Sequence, residues 1–402
     1  MSHVTRFGTL GLLALLALSI QGKARADDGR SIKTVFVIAM ENHNWTQPAN
    51  QFSGPIQQIF QNPNSPFINS LVNGTAGNIS RQVAYATSYH NVLATASGNN
   101  PHIHPSEPNY IWAEAGTNFG VLNDADPFAN GTNNQTNNQD NQLHLVRLLT
   151  DAERTWRSYQ EDIDLTMAGG QLTNVVLPKD QWTVPLDSFS GNFASGVNRF
   201  NGSTQFNYAA KHNPQVFFTD SNGGDDTTPS NPLSHNYAPL QQLFVDLANN
   251  SVADYNWITP NQFNDMHTAL SGGFMGQTGD AANIRQGDNF LSIVVPAIMA
   301  SDAYQDRGAI IIWWDETVNA NADDFNHTIG EIVISPLAHP NVNGKPFASS
   351  VLLSHSSDLR TMQKIFHVTR PLFLGDAVDA NDLSDLFAKG AIPRDNDNKK
   401  SF

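Results

Sequence analysis

Three apolar runs stand out along the chain: Thr34-Val35-Phe36-Val37-Ile38-Ala39-Met40, Ala309-Ile310-Ile311-Ile312-Trp313-Trp314 and Gly330-Glu331-Ile332-Val333-Ile334-Ser335-Pro336. They are short, nearly unbroken and rich in β-branched residues, the pattern of strands buried on both faces. The first two stop abruptly at polar pairs, Glu41-Asn42 and Asp315-Glu316. Segments 240–247, 289–301 and 357–366 carry apolar residues at three-to-four spacing, which predicts helices. Strands alternating with helices predict a three-layer α/β/α sandwich with a largely parallel central sheet. In such a sheet functional groups collect at the carboxyl ends of strands, where both polar pairs fall.

Elsewhere the pattern is irregular. Residues 126–142 are rich in Asn and Gln, and 220–232 in Asp, Gly, Ser, Thr and Pro, so long inserted loops are expected near 117–145 and 219–236. Asp220 to Asp226 offers oxygen ligands but lacks the full spacing of an EF-hand loop. At the start, Arg6 precedes the apolar run Leu10 to Leu18, and Ala24-Arg25-Ala26 is a small-x-small cleavage site. Residues 1–26 therefore read as a secretory signal peptide, which leaves 27–402 as a single domain. That apolar run is shorter than the roughly 20 residues a membrane-spanning helix needs, so no stable membrane insertion is expected.

Composition narrows the function. With 40% hydrophobic and 15% charged residues the chain is globular rather than disordered. It has no Cys, which excludes disulfides and thiolate metal ligands. Without Arg6, Lys23 and Arg25 of the leader, 19 basic face 37 acidic residues, a net charge of -18. That balance argues against nucleic acid as a partner but not against a small phosphorylated substrate, because a bound cation inverts the local potential.

Carboxylates placed directly after buried strands are costly to hold unless something positive pairs with them. Glu41-Asn42 and Asp315-Glu316 together would make an oxygen-rich cage for one divalent cation. Ser106, held between Pro105 and Glu107-Pro108, can present its hydroxyl rigidly to such a cation, where it ionises more readily. Thirteen histidines supply further candidates, among them His90, His104, His212, His267, His327 and His355. Imidazoles beside a phosphate donate hydrogen bonds or protonate a leaving oxygen.

At these residues the chain resembles the phosphoesterases that include bacterial acid phosphatases and phospholipases C, within the alkaline phosphatase superfamily. The similar stretches are Val35 to His43, His104 to Tyr110 and Ile311 to Glu316, with weaker echoes at Tyr208 to Pro214, Ile258 to His267 and Ser354 to Thr361. The resemblance implies that Glu41, Asn42, Ser106, Asp315 and Glu316 surround one divalent metal, with Ser106 as nucleophile. It also implies that His90, His212 and His267 line the phosphate pocket. The phospholipase members usually continue the first Glu-Asn with Ser-Phe-Asp, where this chain has His43-Asn44-Trp45. They also carry Asp-His after the Asp-Glu pair, which leaves the role of His327 open. Both departures lean towards an exported, acid phosphatase-like phosphomonoesterase. The alternatives are a phospholipase C-like phosphodiesterase and, from another class, a secreted binding protein without chemistry. Metal identity and oligomeric state stay open.

Overall fold

The computed structural model describes residues 29–46, 58–91, 104–127, 137–317 and 328–394. The proposed signal peptide lies outside these residues. The central sheet is built from Thr34–Met40 (β1), Val83–Ala86 (β2), Trp156–Gln160 (β3), Tyr237–Pro239 (β4), Tyr255–Thr259 (β5), Gly308–Trp314 (β6), Glu331–Ile334 (β7) and Phe347–Ser349 (β8). Their spatial order is β4-β3-β5-β1-β6-β7-β2-β8. Every neighbouring pair is parallel except the two made by β7, which runs antiparallel to both β6 and β2. The sheet is thus largely parallel, and the two strands that end in acidic residues, β1 and β6, lie side by side at its centre.

Helices cover both faces, and the register explains which goes where. Ala39 pairs with Trp313 and Met40 with Trp314, so Trp313 and Met40 point to opposite faces. The Trp313 ring meets Tyr110 of helix Ser106–Ala115 (α1) edge-on, with ring centroids 5.2 Å apart. Met40 instead reaches Gly287 of the long helix Asp280–Met299, where an added Cβ would collide with the Met40 and Met266 side chains. Glycine in a helix interior costs roughly 1 kcal/mol against Ala; here the missing Cβ makes room for the loop that carries Met266. Leu145–Asp151 (α2), Gln241–Ala248 (α3), Asp280–Met299 (α4) and His355–Ile365 (α5) complete the helices used below.

Differences from the sequence pattern have local causes. Helix α4 begins at Asp280, well before residue 289, because its first turns are mostly polar and show no apolar stripe. The 219–236 segment is less exposed than its composition suggests: Thr219–Asn222 forms a helical turn with Ser221 and Asn222 buried. Two hairpins, Leu165–Ala168 with Gln171–Val176 and Phe189–Asn192 with Gln205–Tyr208, pack Leu165, Phe193 and Phe206 into a satellite core. Their strands are half exposed and too short to stand out as periodic runs.

One buried ion cluster anchors the far end of α1. His144, fully buried, places Nδ1 3.1 Å from Glu114 Oε1 and Nε2 2.8 Å from Asp220 Oδ1, while its ring stacks on Phe218 at 3.9 Å. Burial opposes a charge on the imidazole, but the hydrogen bonds to Asp220 and Glu114 outweigh it and hold the pKa above its ordinary value. A His whose folded pKa is raised contributes stability below its unfolded pKa and loses it as pH rises through the folded value. His144→Gln is therefore expected to destabilise the protein by about 3 kcal/mol at mildly acidic pH and by clearly less at alkaline pH. Urea unfolding at both pH values checks this; an equal loss at both would contradict it.

Candidate active site

The parallel register of β1 and β6 sets Glu41 beside Asp315, one residue beyond the paired Met40 and Trp314. Asn42 follows with φ 50°, a left-handed conformation that Asn tolerates better than most residues. This turn aims the Asn42 N–H at Asp315 Oδ1, 3.0 Å away, across the strand boundary. Glu41, Asp315 and Glu316 are buried, and each offers a carboxylate oxygen within 4.8 Å of the others.

Helix α1 closes this cluster. Ser106, Asn109 and Tyr110 stand at i, i+3 and i+4, so all three fall on one helix face. Ser106 Oγ lies 3.0 Å from Glu316 Oε1 and 3.2 Å from Glu41 Oε2. Asn109 Nδ2 donates to Glu316 Oε2 at 3.0 Å, and Tyr110 Oη donates to Glu41 Oε1 at 2.7 Å. Ser106 is also the first residue of a ten-residue helix, where the helix dipole favours negative charge on its oxygen.

Burial is the largest influence on all three carboxylates, pushing their pKa values well above the ordinary range; Asp315 adds to this at Glu41, and Glu316 at Asp315. Asp315 Oδ2 is buried without a hydrogen-bond partner. An orphaned carboxylate oxygen facing two further buried carboxylates fits a hard divalent cation with oxygen ligands. Glu41, Asn42, Ser106, Asp315 and Glu316 are the residues that could hold it.

The cluster opens on a cavity of about 580 Å³, lined among others by Asn42, His104, Ser106, Asp124, Lys211, His267 and Glu316. His104 Nδ1 lies 3.0 Å from Glu316 Oε1. Lys211 Nζ donates to Asp124 Oδ2 at 3.0 Å. Although burial disfavours its charge, Glu41, Asp124 and Glu316 hold the Lys211 pKa above its usual value. His267 borders the cavity, and burial, assisted by Lys211, pushes its pKa down to about 4.

The other two histidines expected in the pocket sit elsewhere. His212 lies behind it, stacked on Tyr110, with Nε2 3.1 Å from Glu41 Oε1 and Nδ1 3.3 Å from Asp265 Oδ2. Neither contact has hydrogen-bond direction, and burial lowers the pKa of this imidazole well below the ordinary value. His90 is buried on the short strand Tyr89–His90 and is not among the described residues that line the cavity. His327 lies outside the described residues. Asn109, Tyr110 and Lys211 lie in stretches that carry the family resemblance but have no role assigned there, and Asp124 lies outside them; the first two are accessible through their i+3 and i+4 spacing from Ser106.

Over 165 residues the chain is 28% identical to an acid phosphatase of Aspergillus fumigatus, a match that spans 41% of this chain but only 28% of that protein's length. Among solved structures, a Bacteroides thetaiotaomicron protein of glycosaminoglycan metabolism aligns with TM-score 0.47 at 10% identity, covering 91% of this chain and 83% of the other. The lipoteichoic acid synthase LtaP of Listeria monocytogenes aligns with TM-score 0.44 at 10% identity, covering 88% and 77%. A Vibrio parahaemolyticus protein of the alkaline phosphatase superfamily aligns with TM-score 0.43 at 10% identity, covering 90% and 72%. Residues 23–369 match the phosphoesterase family model, so the chain belongs to the phosphoesterase family.

Proposed function

We propose that this chain is an exported, metal-dependent phosphomonoesterase that works through Ser106. The observation carrying this reading is Ser106 Oγ at 3.0 Å from Glu316 Oε1 and 3.2 Å from Glu41 Oε2, inside a buried acidic cluster at the floor of a cavity. A hydroxyl serving only the fold has no need of two buried carboxylates beside it. A divalent cation held there would supply Lewis-acid stabilisation of negative charge.

The residues themselves account for the remaining steps. Glu316, the nearer of the two carboxylates, accepts the Ser106 hydroxyl proton as Oγ forms its bond to phosphorus and the ester P–O bond breaks. Water then hydrolyses the phosphoserine through the reverse geometry. Lys211 and Asn42 face the cavity and donate towards phosphoryl oxygens. His267, with its pKa at about 4, needs an anion beside it to become an imidazolium, and a phosphoryl dianion is such an anion. Once charged, it can protonate the leaving alkoxide. His212, stacked on Tyr110, supports the wall between Glu41 and Asp265.

Pro105, Met266 and Ala269 are the apolar side chains among the described lining residues, against His, Asp, Asn, Lys, Ser and Glu. That chemistry suits a small polar monoester better than a lipid diester. Export is supported by the apolar run Leu10 to Leu18 followed by Ala24-Arg25-Ala26. Among the described residues no helix is long and apolar enough to cross a membrane.

Two outcomes follow. Ser106→Ala is expected to lower kcat for an aryl phosphate by about a thousandfold or more while Mn²⁺ affinity falls only modestly. Substantial turnover by the variant, or wild-type turnover of phosphatidylcholine but not of the aryl phosphate, would contradict the reading. Carboxylates whose folded pKa values are raised contribute stability at low pH and lose it as pH climbs through those values. Metal-free protein should therefore melt at lower temperature at roughly pH 8 than at pH 5, and added Mn²⁺ should raise Tm more at the higher pH. Thermal melts with and without the ion check this; a Tm indifferent to Mn²⁺ at both pH values would contradict a cation site.

A further inference from the structure

His43, where the chain departs from the phospholipase members, and His355, which the proposed reaction does not use, stand in equivalent relation to the acidic cluster. His43 Nδ1 lies 2.9 Å from the backbone oxygen of Glu41, and His355 Nε2 lies 2.7 Å from the backbone oxygen of Asp315. A carbonyl only accepts, so in each case the ring nitrogen donates its N–H. The second nitrogen of each ring is also engaged. His43 Nε2 meets Asp280 Oδ1 at 3.0 Å, at the start of α4 on the cavity wall. His355 Nδ1 accepts from Trp313 Nε1 at 2.9 Å, and Tyr89 Oη, 3.0 Å from the same nitrogen, donates to Asp358 Oδ2 at 2.6 Å. Both imidazoles are buried.

We propose that His43 and His355 are matched positioning residues: each fixes the peptide group that follows its strand, and together they hold the Glu41 and Asp315 sides of the cage at one spacing. A peptide group is planar, so anchoring its oxygen also fixes the direction of its N–H. The Glu41-Asn42 peptide gives its oxygen to His43 and its N–H to Asp315 Oδ1 at 3.0 Å. The Asp315-Glu316 peptide gives its oxygen to His355. The first plane is thus tied to the Asp315 carboxylate through its N–H and the second is the peptide of Asp315 itself, the residue whose Oδ2 is buried without a hydrogen-bond partner. Loss of either imidazole frees a plane to rotate and loosens a ligand; loss of His43 also frees the Asn42 N–H that Asp315 accepts. The strand pairing sets which residues meet; the two histidines set the angle at which they meet. One anchor is tied to the cavity wall through Asp280, the other to the core through Trp313.

This inference rests on the reading of the acidic cluster as a cation site, and the test separates the two. Asn places its amide nitrogen near an imidazole Nδ1, and Gln near Nε2. His43→Asn and His355→Gln therefore keep the anchoring donor, whereas His43→Gln and His355→Asn misplace it. Mn²⁺ affinity is measured by calorimetry on metal-free protein, with circular dichroism and Tm recorded for every variant. The matched variants should bind within about threefold of wild type, and the mismatched ones about 10- to 100-fold more weakly, as is typical when the group orienting a ligand is lost. Activity towards an aryl phosphate at saturating Mn²⁺ should recover more fully in the matched variants. Equal losses in matched and mismatched variants, or wild-type affinity in all four, would overturn the inference while leaving the cation site standing. Failure of wild-type protein to bind Mn²⁺, Mg²⁺ or Ca²⁺ would remove the cation reading and this inference with it. If a His355 variant does not fold, the His43 pair, at the cavity side of the turn, decides the question alone.

Discussion

The site depends on one pairing. Strands β1 and β6 run parallel in the register Met40 to Trp314, so the residues that follow them, Glu41 and Asp315, emerge together at the carboxyl edge of the sheet. Because side-chain direction has a period of two along a strand, a slip of one residue would send either carboxylate to the wrong face and dissolve the cluster. The register is strongly specified from both sides. The two strands are almost entirely buried, with Trp313 packed against Tyr110 and Trp257, and Met40 seated at Gly287. The core that stabilises the fold therefore also sets the geometry of the acidic cage.

That cage stores unfavourable energy. Three buried carboxylates with little nearby positive charge are expensive in a low-dielectric interior, and their raised pKa values express that cost. Hydrogen bonds from Ser106, Asn109, Tyr110 and the Asn42 N–H offset part of it. They leave Asp315 Oδ2 without a partner. In the proposed reaction a cation would relieve the carboxylates, and a phosphoryl dianion would meet Lys211 and the cavity histidines. Helix α1 is tethered at both ends, at Ser106 by the carboxylates and at Glu114 by His144.

How much of this was legible in the sequence follows from how local each signal is. Glu41-Asn42 and Asp315-Glu316 were visible because an apolar run ending in carboxylates is a contiguous pattern. Ser106 was visible through its flanking prolines and the family resemblance. The direction of β7 was not, since a buried strand carries the same pattern whether it runs parallel or antiparallel. The histidines divided for a similar reason: composition says nothing of which way a ring faces, so His267 reached the cavity wall while His212 sits behind it and His90 is buried on a short strand. Lys211 and Asp124 meet only because the segment after α1 folds back over the helix start, where Asp124 also accepts from the Glu107 N–H at 3.1 Å. Contacts of that kind depend on tertiary closure and leave no periodic trace.

The central claim is that Glu41, Asn42, Asp315, Glu316 and Ser106 form one cation site at the reacting oxygen. Anomalous diffraction from crystals soaked in Mn²⁺ tests it most directly. The account predicts a single strong peak within coordination distance of the Glu41, Asp315 and Glu316 carboxylates and of Ser106 Oγ. A cluster with no peak, or a peak bound elsewhere with Ser106 out of reach, would contradict it.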